Sequence, residues 1–315
     1  MKKGFITRLI AGQYQLKDIE SGIIIEAKAR GKLRFVRVDK DDTFNKNIGE
    51  RTKKEQKTIQ ISPKVGDFVY FEKQEDQYFI TEVLPRINDL KRPDVANVDQ
   101  VLLLFSVIRP DFSFTLLDKF LVILGQENLK PVLVVSKIDL VSEEFLKDLQ
   151  NKLKYYENIG YDVYYINSKQ RIGFDVLTHI FKDKTSVLAG QTGVGKSTLL
   201  NALMPELNLK TQEISDALNR GKHTTRHSEL YPFNEGYICD TPGFSKIDFN
   251  TIRESELKDY FIEFQEIECK FRDCKHINEL GCGVLEAIKD DEMMKSRHEN
   301  YVSFYNEIAN RKKIY

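Results

Sequence analysis

A glycine-rich run, Gly190-Gln191-Thr192-Gly193-Val194-Gly195-Lys196-Ser197, is the part of the sequence best suited to chemistry. It fits the pattern G-x-x-x-x-G-K-[ST], follows an apolar segment that ends at Ala189 and opens a helical pattern at Thr198. Glycines in such a run let backbone N–H groups surround phosphate oxygens, and the helix start adds partial positive charge. We therefore expect Lys196 to bind the β- and γ-phosphates and the Ser197 hydroxyl to bind Mg²⁺. The strand–loop–helix context disfavours the alternative, a plain glycine-rich turn.

The segment Asp240-Thr241-Pro242-Gly243 follows a second apolar strand, Tyr237–Cys239. Taken alone, such a tetrapeptide is typical of a turn. Behind a phosphate loop, an Asp at the end of a strand is suited to hold Mg²⁺. The backbone N–H of Gly243 is then expected to contact the γ-phosphate and to respond to its loss.

A candidate base-recognition loop, Ser136-Lys137-Ile138-Asp139, ends the apolar run Val132–Val135. It resembles the N-K-x-D motif of GTPases, with Ser in place of Asn. The Asp139 carboxylate would accept hydrogen bonds from guanine N1–H and the N2 amine, whereas adenine would present a lone pair to it. We expect the Lys137 stem to pack along the base. Ser136 is expected to bond the base-side loops less well than Asn, with guanine preference kept and affinity somewhat weakened. An ATPase in which this loop is a chance match remains an alternative.

The next strand, Val163–Ile166, leads into Asn167-Ser168-Lys169. This segment is similar to the S-A-K loop whose backbone N–H contacts guanine O6. As an isolated tripeptide it has little weight.

The spacing Cys269-x4-Cys274-x-His276-x5-Cys282 places three of the four cysteines and one histidine within 14 residues. Three thiolates and an imidazole predict a closed tetrahedral Zn²⁺ site with a structural role, with free thiols as the alternative. We expect Cys239 to be ordinary core, His179 to be packed in a helix, and His298 to lie at the surface.

The elements around these residues predict two different architectures. Residues 1 to about 88 show short alternating runs separated by Gly and polar turns, which favours a small β-barrel with a long loop at 41–60. From about residue 96, fully apolar strands alternate with helical patterns, which is typical of an α/β domain with a parallel sheet. Beyond about residue 252 the pattern indicates helices around the cysteine cluster.

Composition sets limits on the function. The 315 residues contain 48 Lys+Arg and 48 Asp+Glu, which excludes a protein that coats nucleic acid by bulk charge. No apolar run approaches the roughly 20 residues of a membrane span. Residues 1–40 nevertheless contain 10 Lys+Arg against 4 Asp+Glu, compatible with RNA contact or with a solvated charged face. The candidates for RNA contact are Arg30, Lys32, Arg34, Phe35 and Arg37.

The order of the motifs is the most informative feature. The base-recognition loop precedes the phosphate loop, which precedes Asp240–Gly243, and this is the order of a circularly permuted GTPase. Together with the barrel, the segment Arg86–Gln100 as linker, Gly221–Thr225 and the Cys/His spacing, it closely resembles the RsgA family of small-ribosomal-subunit biogenesis GTPases. Ser136 departs from the family pattern.

This resemblance implies a fold and a set of partners. It implies an oligonucleotide-binding (OB)-like barrel at 1–90, a circularly permuted P-loop GTPase domain at 91–250 and a zinc-binding helical domain at 251–315. The chain is expected to be a cytoplasmic monomer without membrane contact, with one Zn²⁺, and Mg²⁺ bound with GTP. Its partners would be GTP or GDP and the small (30S) ribosomal subunit with its rRNA.

Catalysis is expected to depend on Lys196, Asp240, Thr225 and His223. Gly243 is followed by Phe244, which cannot orient water as Gln does in many GTPases, so hydrolysis should be slow alone and stimulated by the subunit. Thr224 or Thr225 would close over Mg²⁺, and His223 is the candidate water-orienting residue. A nucleotide-gated rRNA-binding module with negligible turnover is the rival interpretation.

Overall fold

A computed structural model describes residues 1–30, 33, 36–37, 58–59, 62–91, 93–207, 229–240 and 248–311. In chain order the strands within these ranges are β1 Lys2–Ile10, β2 Gln13–Asp18, β3 Ile24–Ala29, β4 Val36–Arg37, β5 Thr58–Ile59, β6 Phe68–Gln74, β7 Gln77–Val83, β8 Asp89–Lys91, β9 Asp94–Ala96, β10 Gln100–Ser106, β11 Lys130–Ser136, β12 Asp162–Tyr165, β13 Thr185–Ala189, β14 Glu229–Phe233 and β15 Gly236–Asp240. The α-helices within the same ranges are α1 Phe114–Gln126, α2 Glu143–Asn158, α3 Phe174–His179, α4 Lys196–Leu203, α5 Gly283–Ala287 and α6 Glu292–Ala309.

The described residues fall into two compact units. The first contains those of Met1–Gln100, Thr178–Leu188 and Ser215–Gly243, and the second contains those of Val101–Leu177, Ala189–Ile214 and Phe244–Tyr315. No helix within the described ranges is long and apolar enough to span a bilayer.

Five strands of the first unit close into a barrel. The pairing runs β1-β2-β3-β7-β6 and returns from β6 to β1, with β3 and β7 parallel and the other pairs antiparallel. Alternate residues of the strands point inwards, and Ile6, Leu16 and Ile80 are fully buried. The predicted barrel is confirmed, although residues 41–57 and 60 of the loop expected at 41–60 lie outside the described residues.

The segment Arg86–Gln100 is more ordered than a linker. It contains the antiparallel β8–β9 hairpin. Arg86 is buried and forms an ion pair with the fully buried Asp67 of the barrel, with an Nε–Oδ1 distance of 2.7 Å. Because an unpaired buried charge is costly, this pair fixes the segment to the barrel.

The rest of the first unit forms a mixed sheet in the order β13-β15-β14-β1. β13 and β15 are parallel, whereas β14 forms an antiparallel hairpin with β15 and pairs antiparallel with β1. The expectation of a purely parallel sheet is therefore wrong here, because the hairpin returns the chain next to β15.

The second unit carries the strand order β12-β11-β10, with β11 and β12 parallel. Every residue of β10 is buried, as expected for a strand covered on both faces. Helices α1 and α2 are capped at their N-termini by Ser113 and Ser142. The Ser113 side chain accepts the backbone N–H of Leu116, and that of Ser142 accepts the N–H of Phe145.

The C-terminal part of the second unit has its own hydrophobic cluster. Phe261 lies between two short 3₁₀ turns, Leu257–Tyr260 and Ile262–Phe264. Phe261 and Phe264 pack edge-on against Tyr301 of α6. Cys274 and Cys282 are buried in the same cluster. The cysteine segment therefore contributes directly to this core.

Candidate nucleotide-binding and metal sites

The phosphate loop leads from the buried strand β13 into α4. Gly190 has φ +135°, and a β-carbon there would lie 2.3 Å from the carbonyl oxygen of Leu104. Gly195 precedes the helix with φ +99°. Both positions therefore require glycine, as the sequence pattern predicted.

Lys196 reaches back across this loop. Its Nζ donates to the carbonyl oxygens of Gly190 and Gln191, each at 2.7 Å. Burial lowers the pKa of Lys196 to about 8. Burial disfavours the charged ammonium, whereas a bound phosphate would stabilise it through its opposite charge. Ser197, on the first turn of α4, is half-buried beside it.

Ser136 joins the base-recognition loop to the phosphate loop. Its buried hydroxyl donates to the carbonyl oxygen of Val194 at 2.6 Å, and the carbonyl oxygen of Phe105 lies at 3.2 Å. The loops approach closely enough for this short hydroxyl to bridge them, whereas the expectation that Ser bonds the base-side loops less well than Asn stays a prediction.

Lys137 also holds the base-recognition loop in place. Its Nζ donates to the carbonyl oxygen of Arg109, and burial, together with the charges of Arg109 and Lys169, lowers its pKa. The Asp139 carboxylate is exposed, so it is free to accept donors from a base.

Asn167 builds the turn that carries Ser168 and Lys169. Its buried side-chain oxygen accepts the backbone N–H of Lys169 at 3.0 Å and that of Gln170 at 3.2 Å. These bonds occupy the Lys169 N–H, which leaves the Ser168 N–H as the better candidate for guanine O6.

Several predicted site residues are outside this geometry. His223, Thr224, Thr225, Gly243 and Phe244 lie outside the described residues. Asp240 is the last residue of β15, and its side chain lies outside the described part as well. Of the RNA candidates, Arg30 forms an ion pair with Glu72 at 2.6 Å, and the side chains of the other four are not described.

The cysteine cluster has the dimensions of a metal site. The ligand atoms of Cys269, Cys274, His276 and Cys282 all lie within 4.8 Å of one another. His276 Nδ1 is 3.5 Å from the sulfurs of Cys269 and Cys282, which are 3.9 Å apart. Sulfurs bound to tetrahedral Zn²⁺ at ~2.3 Å are about 3.8 Å apart.

Burial shifts the pKa values of several of these groups. Burial raises the pKa of the Cys274 thiol to about 12 and lowers that of His276. Burial opposes ionisation of Cys269 too, but the backbone N–H groups of Gly283 and Val284 hold the pKa of that thiol below its usual value. A divalent cation at the centre would stabilise the thiolates and is compatible with a neutral imidazole.

Two histidines differ from expectation. His298 was expected at the surface, but it is buried and its Nε2 donates to the carbonyl oxygen of His276 at 2.5 Å. His179, expected to be packed, is exposed at the last position of α3. Cys239 is fully buried in β15, as predicted.

Comparison with known proteins agrees with this architecture. Residues 83–250 match the family model of the RsgA GTPase. The chain is 50% identical over 316 residues to the small ribosomal subunit biogenesis GTPase RsgA of Onion yellows phytoplasma (strain OY-M), covering 99% of this chain and 100% of that protein. It is 41% identical over 322 residues to the protein of that name from Bacillus subtilis (strain 168), with both chains fully covered.

Solved structures show the same fold. The crystal structure of YjeQ from Thermotoga maritima superposes with a TM-score of 0.80 at 34% identity, covering 99% of both chains. That of YloQ, a circularly permuted GTPase, gives a TM-score of 0.78 at 35% identity, covering 100% of this chain and 97% of that one.

Fold and site together define a circularly permuted GTPase with an N-terminal five-stranded barrel and a Cys₃His cluster near the C-terminus. The chain belongs to the RsgA GTPase family and is a GTP hydrolase, so the resemblance and the fold class expected from the sequence are confirmed.

Proposed function

We propose that this GTPase couples hydrolysis of GTP to GDP and phosphate with late maturation of the small ribosomal subunit. The full-length relatives at 41–50% identity that carry the name small ribosomal subunit biogenesis GTPase support this role. The observation that carries the nucleotide assignment is the Ser136–Val194 hydrogen bond, because it brings the base-recognition and phosphate loops together in one unit.

Different residues bind the phosphates, the base and Mg²⁺ in this proposal. Residues Gly190–Thr198 hold the phosphates, with Lys196 on the β- and γ-oxygens. Asp139 selects guanine, Lys137 supports the base, and Asn167–Lys169 contact its O6 edge. Ser197, Thr225 and Asp240 hold Mg²⁺, which neutralises charge on the phosphates when it is bound.

Hydrolysis by the isolated protein is slow in this proposal. Phe244 follows Gly243 and offers no polar group to water, so His223 orients the attacking water once the ribosomal subunit positions it. Gly243 contacts the γ-phosphate through its N–H. GTP favours the subunit-bound state, and hydrolysis releases the protein.

The remaining parts serve binding and stability. The barrel of domain 1–90 contacts rRNA, domain 91–250 carries the nucleotide, and domain 251–315 is supported by one structural Zn²⁺ on Cys269, Cys274, His276 and Cys282. The protein acts as a monomer in the cytoplasm.

The deciding experiment is GTP turnover measured with and without purified small subunits. Stimulation of at least tenfold supports the proposal. Turnover that stays negligible with subunits, while GTP still promotes subunit binding, supports the rival, a nucleotide-gated rRNA-binding module. Calorimetry with GDP against ADP tests the base: equal affinities would favour an ATPase.

A further inference from the structure

One turn of α6 contacts two different parts of the second unit. Arg297 and Asn300 face α1, whereas His298 and Tyr301 face the segment Cys274–His276. Residues three or four apart lie on neighbouring positions of a helix surface, so each pair forms a small face.

The first face is a buried charge cluster. Arg297 is 1% exposed and donates to the fully buried Asp118 of α1, and its Nε donates to Glu263 at 2.5 Å. Asp118 also accepts from Tyr156 at 2.8 Å and from Asn300 at 2.7 Å. Because each buried charge is stabilised by its partners, this cluster fixes the rotation and the axial position of α6 relative to α1.

The second face holds the metal-binding segment by its backbone. The Tyr301 hydroxyl donates to the carbonyl oxygen of Lys275 at 2.6 Å, and His298 Nε2 donates to that of His276 at 2.5 Å. Lys258 adds a bond to the carbonyl oxygen of Cys274 at 3.1 Å. Three consecutive carbonyl groups, two of them on metal ligands, are thus held by side chains from outside the cluster.

We propose that the α6 turn 297–301 is a positioning device that fixes the zinc-binding segment relative to α1, through Arg297–Asp118 on one side and Tyr301–Lys275 on the other. Groups that orient ligands govern how tightly a metal is held. Asp118 therefore influences zinc retention although it contacts no ligand. This inference rests on the proposed zinc site.

The test is the rate of zinc release from the full-length chain to a chromophoric chelator, without nucleotide. Tyr301→Phe, which removes only the hydroxyl, is expected to release zinc about three- to tenfold faster. Asp118→Asn, on α1, should increase the rate of zinc release by a similar factor. In the double variant the two effects should combine to less than their product, because both act through one turn.

Matched controls separate positioning from general weakening. Lys119→Ala removes an exposed α1–α6 ion pair with Glu307 and should release zinc at the wild-type rate. Leu153→Ala, at a fully buried position of α2, creates a cavity in the core. It should lower thermal stability without faster zinc release. If Asp118→Asn does not fold, Asn300→Ala replaces it, with the same direction expected.

The outcomes distinguish the two claims. If the purified wild-type chain contained no zinc, the proposed zinc site itself would be refuted. A zinc-loaded chain in which Asp118→Asn or Asn300→Ala releases zinc at the wild-type rate would overturn the positioning role. Equally fast release from Leu153→Ala would also overturn it.

Discussion

The Ser136 hydroxyl donates to the Val194 carbonyl oxygen across 2.6 Å, which joins the loop proposed to recognise the base to the loop proposed to hold the phosphates. Such a bond keeps the two halves of a nucleotide site at a fixed separation, which lowers the cost of ordering them on binding.

Ser136→Ala tests this connection. Loss of one buried hydrogen bond is expected to weaken GDP binding about fivefold or more, corresponding to about 1 kcal/mol. Titration with a fluorescent GDP analogue measures the change. Ser142→Ala, which removes the cap of α2 on the same unit, is the control and should leave affinity near the wild-type value. Equal affinity in both variants would contradict the role of Ser136.

Asp139→Asn tests base selection. The amide would donate where the carboxylate accepted, so GDP affinity should fall at least about a hundredfold while xanthosine diphosphate, with a carbonyl at C2, should gain affinity. Competition titration with both nucleotides measures the exchange. Asp148→Asn, on the exposed face of α2, is the matched control. A uniform loss for both nucleotides would argue against contact between Asp139 and the base.

Lys196 predicts a pH dependence of binding. Its lowered pKa, about 8, means that the side chain is charged below pH 8 and increasingly neutral above it in the free protein. Phosphate binding favours the charged form, so GDP affinity should decline above pH 8 with uptake of a proton. Calorimetry at pH 8.5 in two buffers of different ionisation enthalpy measures this uptake. Lys196→Arg stays charged throughout, and the same uptake in that variant would exclude Lys196 as its source.

Metal removal tests the cysteine cluster. The purified chain should contain one zinc per molecule, and a strong chelator should lower the thermal midpoint of the second unit, because metal binding contributes to folding. Cys282→Ser should lose zinc, whereas Cys239→Ala should keep it, since Cys239 is fully buried in β15 and outside the cluster. Elemental analysis and thermal melts provide the measurements. Full zinc content in Cys282→Ser would refute the ligand assignment.

Arg86→Met tests the attachment of the segment after the barrel. Removing one partner leaves the Asp67 charge buried, and the expected loss of unfolding free energy is about 3–5 kcal/mol. Arg30→Met removes the exposed pair with Glu72 and should cost less than about 1 kcal/mol. Urea unfolding followed by circular dichroism compares them, and similar losses in the two variants would contradict the structural role of Arg86.

The sequence indicated the local features of the site well. Gly190 and Gly195 could be recognised because their conformations depend on short-range geometry that only glycine adopts readily. The bond from Ser136 to Val194 could not, because it joins positions 58 residues apart and depends on how closely two loops pack.

Dependence on tertiary packing also explains the expectations about the fold that were wrong. β14, with Pro232 inside it, shows no clear alternation, so the antiparallel hairpin was missed. His298, which was expected at the surface, lies between the charged residues Arg297 and Glu299. Its burial comes from the segment 274–276 packing over it, which is a tertiary effect that periodicity does not report.

The pairing of β1 has a consequence for dissecting the protein. The first half of β1 pairs with β6, but Arg8 lies in register with Glu229 of β14, and the β14–β15 hairpin leads to Asp240. A fragment cut after residue 90 would lose β14 and uncover amide and carbonyl groups along the second half of β1. Such a fragment is prone to self-association through that bare edge, so binding measured on it would not represent the intact chain.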